Sequence, residues 1–166
     1  MKAERKYLAH YIDAAFDTTG AAASYVRLGT DLEEYAEELN PDVTSTKNIL
    51  GENSVRHNGY EISSTVEPFY YAYDDALAEK LMELAMTRAT GDKCKTTKVD
   101  VLLKPGDTAD AAPTVVWAYR EDVYVVPSSV GGDTSGVQVP FTIHNAGNRV
   151  KGTFDISTKK FTAETA

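Results

Sequence analysis

Five carboxylates fall within eight positions of this sequence: Asp31, Glu33, Glu34, Glu37 and Glu38. Carboxylates this close could hold calcium or supply an acid–base pair. The D-x-D-x-D-G spacing of a calcium loop is absent, so a solvated acidic face is the simpler reading. A third reading is a repulsive lining. Cys94 lies between Lys93 and Lys95, two cations that could lower a thiol pKa and make a nucleophile. A nucleophile needs a base, and no histidine is near it in sequence, so a packed structural cysteine is expected. His10, His57 and His144 stand far apart, none three or four residues from another. A metal pair of the H-E-x-x-H kind is therefore excluded, and the three read as surface or structural imidazoles. Residues 51–59 (GENSVRHNG) hold glycines, an Arg and a His, but no helix follows to aim at an anion; they read as a flexible loop. The patterns G-x-x-x-x-G-K-[ST], G-x-G-x-x-G and G-x-S-x-G all fail. No convergent polar constellation remains, so neither an enzyme nor a cofactor or metal site is expected.

The elements that would position these residues are mostly strands. Val99, Val101 and Leu103 alternate with Lys98, Asp100 and Leu102. Residues 115–126 (VVWAYREDVYVV) are β-branched and aromatic. Val137, Val139, Phe141 and Ile143 alternate, with Pro140 marking an edge or a bulge because it cannot donate to a ladder. Val150, Gly152, Phe154 and Ile156 alternate again, and a turn over 157–160 leads to Phe161. Tyr60, Ile62, Ser64 and Val66 alternate upstream. Period-two patterns with one wet face favour antiparallel sheets. One helix is predicted at about residues 74–89: Asp74 and Asp75 open it, Leu77, Leu81, Leu84 and Ala85 share a face, and Arg88 and Gly91 supply stop chemistry. Residues 30–40 (TDLEEYAEELN) are ambiguous. A capping box of Thr30 and Glu33 favours a helix, while unpaired neighbouring carboxylates oppose one.

The chain has 166 residues, 42% hydrophobic and 25% charged, consistent with one domain, 1–166, large enough to bury a core. A single cysteine allows no internal disulfide. Met1 to Tyr7 are charged with no apolar stretch behind them, so no secretory leader is read there, and a cytoplasmic site of synthesis is expected. The first 90 residues carry 8 Lys and Arg against 16 Asp and Glu; the remainder is neutral. An acidic chain repels nucleic acid, whose phosphates need clustered cations. Ten tyrosines suit protein–protein contact. Residues 106–113 and 128–136 read as loops between strands.

The run Tyr25-Val26-Arg27-Leu28-Gly29-Thr30-Asp31-Leu32-Glu33-Glu34, then Glu38-Leu39-Asn40-Pro41-Asp42-Val43, then Lys47-Asn48-Ile49-Leu50-Gly51, resembles the N-terminal part of tail tube (major tail) proteins. These come from long, non-contractile-tailed, siphovirus-type bacteriophages and related prophages of Gram-positive bacteria. The order that follows is similar too: a Gly59-Tyr60 strand, aromatics around Pro68, one amphipathic helix, then strands. The resemblance implies a non-catalytic virion protein of mainly β (α+β) class, with two packed antiparallel sheets, sandwich- or barrel-like, flanked by one helix and carrying long loops. Six subunits would close into a ring, and rings would stack into a hollow tube. Its partners would be itself, the tape measure protein, the tail terminator and baseplate or tip proteins, with DNA passing through the lumen unbound and no membrane insertion. The chain would reside in the virion tail, after assembly in the host cytoplasm. Residues 30–39 would be a strand or strand end, with Asp31, Glu33, Glu34, Glu37 and Glu38 at the lumen or an interface. Residues 41–60 would be a long loop reaching a neighbouring ring, through Pro41, Asp42, Lys47, Asn48, Arg56 and His57. Residues 1–24 would be an N-terminal arm, partly mobile. The alternatives are a tail-completion or contractile-injection inner-tube protein, or a carbohydrate- or protein-binding β-sandwich module using residues 69–73 (FYYAY) for stacking.

Overall fold

The computed structural model describes residues 1–17, 19 and 22–165. Its strands, in chain order, are β1 (Leu8–Asp13), β2 (Tyr25–Arg27), β3 (Glu37–Glu38), β4 (Pro41–Lys47), β5 (Asn53–Tyr60), β6 (Ser63–Val66), β7 (Lys95–Lys104), β8 (Thr114–Pro127), β9 (Gly131–Asp133), β10 (Gly136–Gln138), β11 (Phe141–Asp155) and β12 (Lys160–Ala163). One helix, α1 (Ala76–Thr87), lies between β6 and β7. The class is mainly β with one helix, as the alternation predicts. No helix among the described residues is long and apolar enough to cross a membrane.

The main sheet runs β2-β1-β7-β8-β11-β6-β3, with β12 also paired to β11. Its pairings are antiparallel. The long strand β11 serves two neighbourhoods. Its first residues pair β6, Phe141 opposite Val66, and its last pair β12, Phe154 opposite Phe161. Between these ends its register with β8 slips twice, at Asn145/Gly147 and Gly147/Val150. Bulges bend a strand and increase its twist, and Gly147 (φ 91°) and Asn148 (φ 58°) supply the left-handed conformation needed there.

That bend divides the core. One cluster gathers Ile12, Val66, Leu77, Leu81, Val123, Phe141 and Ile143 under α1. The other gathers Ala9, Tyr11, Tyr25, Val99, Val101 and Phe154. The Phe154 ring lies 4.5 Å from Tyr11 and 5.9 Å from Tyr25, although β7 and β8 separate β11 from β1 in the sheet. Such contacts require a sheet rolled over on itself. The expected two-layer packing thus arises within one continuous, barrel-like ladder, accompanied by two separate hairpins, β4-β5 and β9-β10.

Helix α1 forms for the reasons its sequence gives. Asp75 is the N-cap, its carboxylate accepting the Leu77 N–H at 3.0 Å, and Leu77, Leu81 and Leu84 are buried. Its end differs from expectation. Arg88 closes it in the left-handed conformation (φ 56°), donating to Ala85, and Gly91 instead opens a short 3-10 turn, Gly91–Cys94.

Other expectations are corrected. Residues 30–39 form no helix; only Glu37–Glu38 is strand, beside Ser63 and Ser64. Packing decides this, because Leu32 and Tyr35 turn onto the core and Tyr35 donates its hydroxyl to Ser64 at 2.9 Å. Residues 41–60 are a paired hairpin, not a loop, and the flexible stretch expected at 51–59 is largely β5. Residues 128–136 include β9. The strand expected over 137–143 is broken at Pro140, whose carbonyl accepts instead from the Ser128 N–H at 2.9 Å. Within the expected N-terminal arm, Leu8–Asp13 is strand β1 between β2 and β7, buried from Ala9 onward. Thr18, Gly20 and Ala21 of that arm lie outside the described residues.

Candidate assembly surfaces and a buried charge network

The β4-β5 hairpin holds every candidate contact residue read from the sequence at 41–60: Pro41, Asp42, Lys47, Asn48, Arg56 and His57. All are exposed. Every β4 residue is exposed, and so is every β5 residue except Gly59, so neither hairpin face is covered. Val43, Val55 and Tyr60 are 53, 69 and 56% exposed. Asn40 grips the root, donating its amide N–H to the Glu61 carbonyl at 2.9 Å.

The tip is braced internally. Asn48 Oδ1 accepts from the N–H groups of Leu50 (2.9 Å) and Glu52 (3.0 Å), and its Nδ2 donates to the Glu52 carboxylate at 2.7 Å. Gly51 takes φ 81°, which a side chain would strain. This frame thrusts out Ile49 and Leu50, 102 and 77% exposed. Leaving two such side chains in water forgoes roughly 1.5–3 kcal/mol each, and an isolated two-stranded hairpin is marginal by itself.

The acidic segment divides. Asp31, Glu33, Glu34 and Glu38 are exposed, while Glu37 is half-buried. Asp31, Glu33 and Glu34 join Glu67, Pro68 and Tyr70 around an open groove of about 700 Å³. A second recess, of about 550 Å³, shares Gly29, Leu32 and Glu33 with it but carries the opposite charge on its rim: Arg5, Lys6 and Arg27 stand around Leu8, Leu28, Leu32 and Tyr35. Among the described residues no three His, Cys, Asp or Glu side chains are grouped to hold a metal.

Glu37 belongs to a buried network that sequence reasoning missed. The Lys98 ammonium, fully buried, lies 2.8 Å from Glu37 Oε1 and 3.5 Å from Asp100 Oδ2. Asp100 Oδ1 is 2.6 Å from His10 Nδ1, and His10 Nε2 is 3.2 Å from Arg5 Nη2. A guanidinium can only donate, so Nε2 accepts and Nδ1 carries the proton. Asn145 bridges Glu37 and Glu121, and Arg149 pairs with Glu121 at 3.1 Å. Burial works hardest on both central groups, yet their partners outweigh it. Lys98 is raised above the ordinary lysine range by Asp100, Tyr35 and Glu37 despite desolvation. Asp100 is lowered below the ordinary carboxylate range despite desolvation, by the His10 hydrogen bond and Lys98. With both ring nitrogens of His10 engaged, the arrangement acts as a tether between β1, β3, β7, β8 and β11.

The sequence carried one signal of this network, Lys98 and Asp100 inside an apolar strand, but period-two alternation made them look like a wet face. In fact every residue from Thr96 to Val101 is buried, because the rolled sheet encloses both faces of β7. Cys94 is buried, its thiol 3.5 Å from the Ala89 carbonyl, and burial pushes its pKa up, away from a thiolate. His57 and His144 are exposed, His57 lying edge-on to Tyr60.

The sequence matches no protein-family model and no curated protein. The fold is similar to a chain in a cryo-electron microscopy structure of an extracellular contractile injection system, described as the PVC sheath/tube terminator in extended state. The TM-score is 0.52 at 9% identity, over 92% of this chain and 98% of the other. At that identity the fold is what the two share.

Proposed function

We propose that this chain is a structural subunit of a phage-tail-like assembly, whose work is to bind copies of itself and neighbouring tail components. One observation carries the reading: a braced hairpin projects from the body with both faces in water and aliphatic side chains at its tip. Such an element gains its stabilisation from a partner. The fold it shares with a sheath/tube terminator of a contractile injection system supports the same reading.

In finer terms, copies close into a hexameric ring and rings stack into a tube. The exposed Asp31, Glu33, Glu34 and Glu38 face the bore or an interface, where their charge keeps the phosphates of passing DNA from adhering. Tape measure, terminator and tip proteins complete the tail, and the chain performs no catalysis. A second reading, a terminator that forms one ring and ends the tube, is favoured by the structural neighbour, itself described as a terminator.

The full chain, followed by sedimentation velocity and negative-stain microscopy over a concentration series, tests both. Tubes are expected from a tube subunit and single closed rings from a terminator. A species that stays monomeric at the highest concentration, with hairpin amides exchanging as fast as in dilute solution, overturns the assembly reading.

A further inference from the structure

Resting on that reading, we infer that the recess rimmed by Arg5, Lys6 and Arg27 is the receptor for the hairpin tip of a second copy. Ile49 and Leu50 are the one neighbouring pair of large apolar side chains, among the described residues, with both members more than three quarters exposed. Their exposure also means that the tip does not sit in its own chain's recess. The turn is prebuilt by Asn48, so docking it loses little ordering entropy.

The recess fits this occupant in size and charge. Its volume of about 550 Å³ lies within the range of roughly 300–1,000 Å³ typical of pockets that enclose a compact ligand, and Leu8, Leu28 and Leu32 offer an apolar floor to two aliphatic side chains. The tip carries Glu52 and Lys47 on either side of the aliphatic pair. The rim carries Lys6 and Arg27 to meet the first, and Glu33 to meet the second. The neighbouring groove, walled by Asp31, Glu33, Glu34 and Glu67, would repel Glu52. Tip and recess are different surfaces, so the contact is heterologous, and repeating it gives a ring or an open stack, where an isologous contact would stop at a dimer.

Disulfide trapping tests this contact. Thr30 lines the recess and is exposed, and native Cys94 is buried and so silent. Under mild oxidation, a mixture of Ile49→Cys chains with Thr30→Cys chains should give the mixed dimer in preference to either homodimer. A chain carrying both substitutions should give a ladder of covalent oligomers. Independently, Lys47→Glu alone and Glu33→Lys alone should each raise the concentration needed for assembly more than about tenfold, through like-charge juxtaposition; the two together should restore it. If Ile49→Cys chains pair with each other as readily as with Thr30→Cys chains, or the double charge reversal restores nothing while the native chain assembles, the recess is not the receptor although the assembly reading stands. If the native chain never assembles, both readings fall.

Discussion

At the residue scale the most consequential side chain is Lys98, an ammonium with no exposed surface held by Glu37 and Asp100. Removing one partner of a buried ion pair leaves the others unpaired away from water, typically a loss of about 3–5 kcal/mol. Lys98→Met should therefore destabilise the fold by about that much in urea unfolding. Lys98→Met combined with Glu37→Leu should cost less than the single change, because one stranded carboxylate is gone as well. The pH dependence has two limbs. Asp100 is held below its ordinary value, so its contribution is complete above the unfolded carboxylate range near about 3.9 and is lost as pH falls through the folded value. Lys98 is held above its ordinary value, so its contribution is complete below the unfolded lysine range near about 10.4 and is lost as pH rises through the folded value. The melting temperature should form a plateau between the two limbs. In Lys98→Met the alkaline limb should shrink. The acid limb should move to higher pH, because Asp100 has lost a stabilising charge.

At the scale of elements, α1 and the β4-β5 hairpin are opposites. The helix buries Leu77, Leu81 and Leu84 and depends on its cap, so Asp75→Ala should cost about 1 kcal/mol and lower the melting temperature by about 2–4 °C. The hairpin is exposed on both faces. Excising residues 43–58 and joining Asp42 to Gly59 through Asn-Gly, a favoured two-residue turn, should leave the melting temperature within about 2 °C while abolishing assembly; a collapse of the fold would show that the body needs the hairpin. The same contrast explains what could be read in the sequence. The helix announced itself because a cap and a repeated apolar spacing agree. The hairpin strand β5, NSVRHNGY, shows no alternation because, among the described residues, neither of its faces is covered; its apolar pattern can be decided only by a partner. The bend in β11 was equally hidden, since Asn145 to Val150 look like a turn between two strands and not a double bulge within one. His10 and Glu37 could not be joined to Lys98 from spacing alone, because sheet rolling brings them together across many residues of chain.

At the scale of the whole molecule, assembly works against charge. The chain carries a formal net charge of −8, with Asp31, Glu33, Glu34 and Glu38 exposed on one segment, so copies repel one another at long range. The Debye length falls from about 30 Å at 0.01 M salt to about 8 Å at 0.15 M, which removes most of that repulsion. Burial of Ile49 and Leu50 is not weakened by screening, and it strengthens in salts excluded from protein surfaces. The concentration at which assembly begins should therefore fall as sodium chloride rises over this range, measured by sedimentation velocity. Replacing the four exposed carboxylates by their amides should flatten that dependence, since the repulsion being screened is theirs. The opposite slope, assembly weakening with salt, would mean that the rim charges of Arg27 and Lys6 hold Glu52 of the tip and the aliphatic pair contributes little. The sign of one slope thus separates an apolar plug from an ionic clasp.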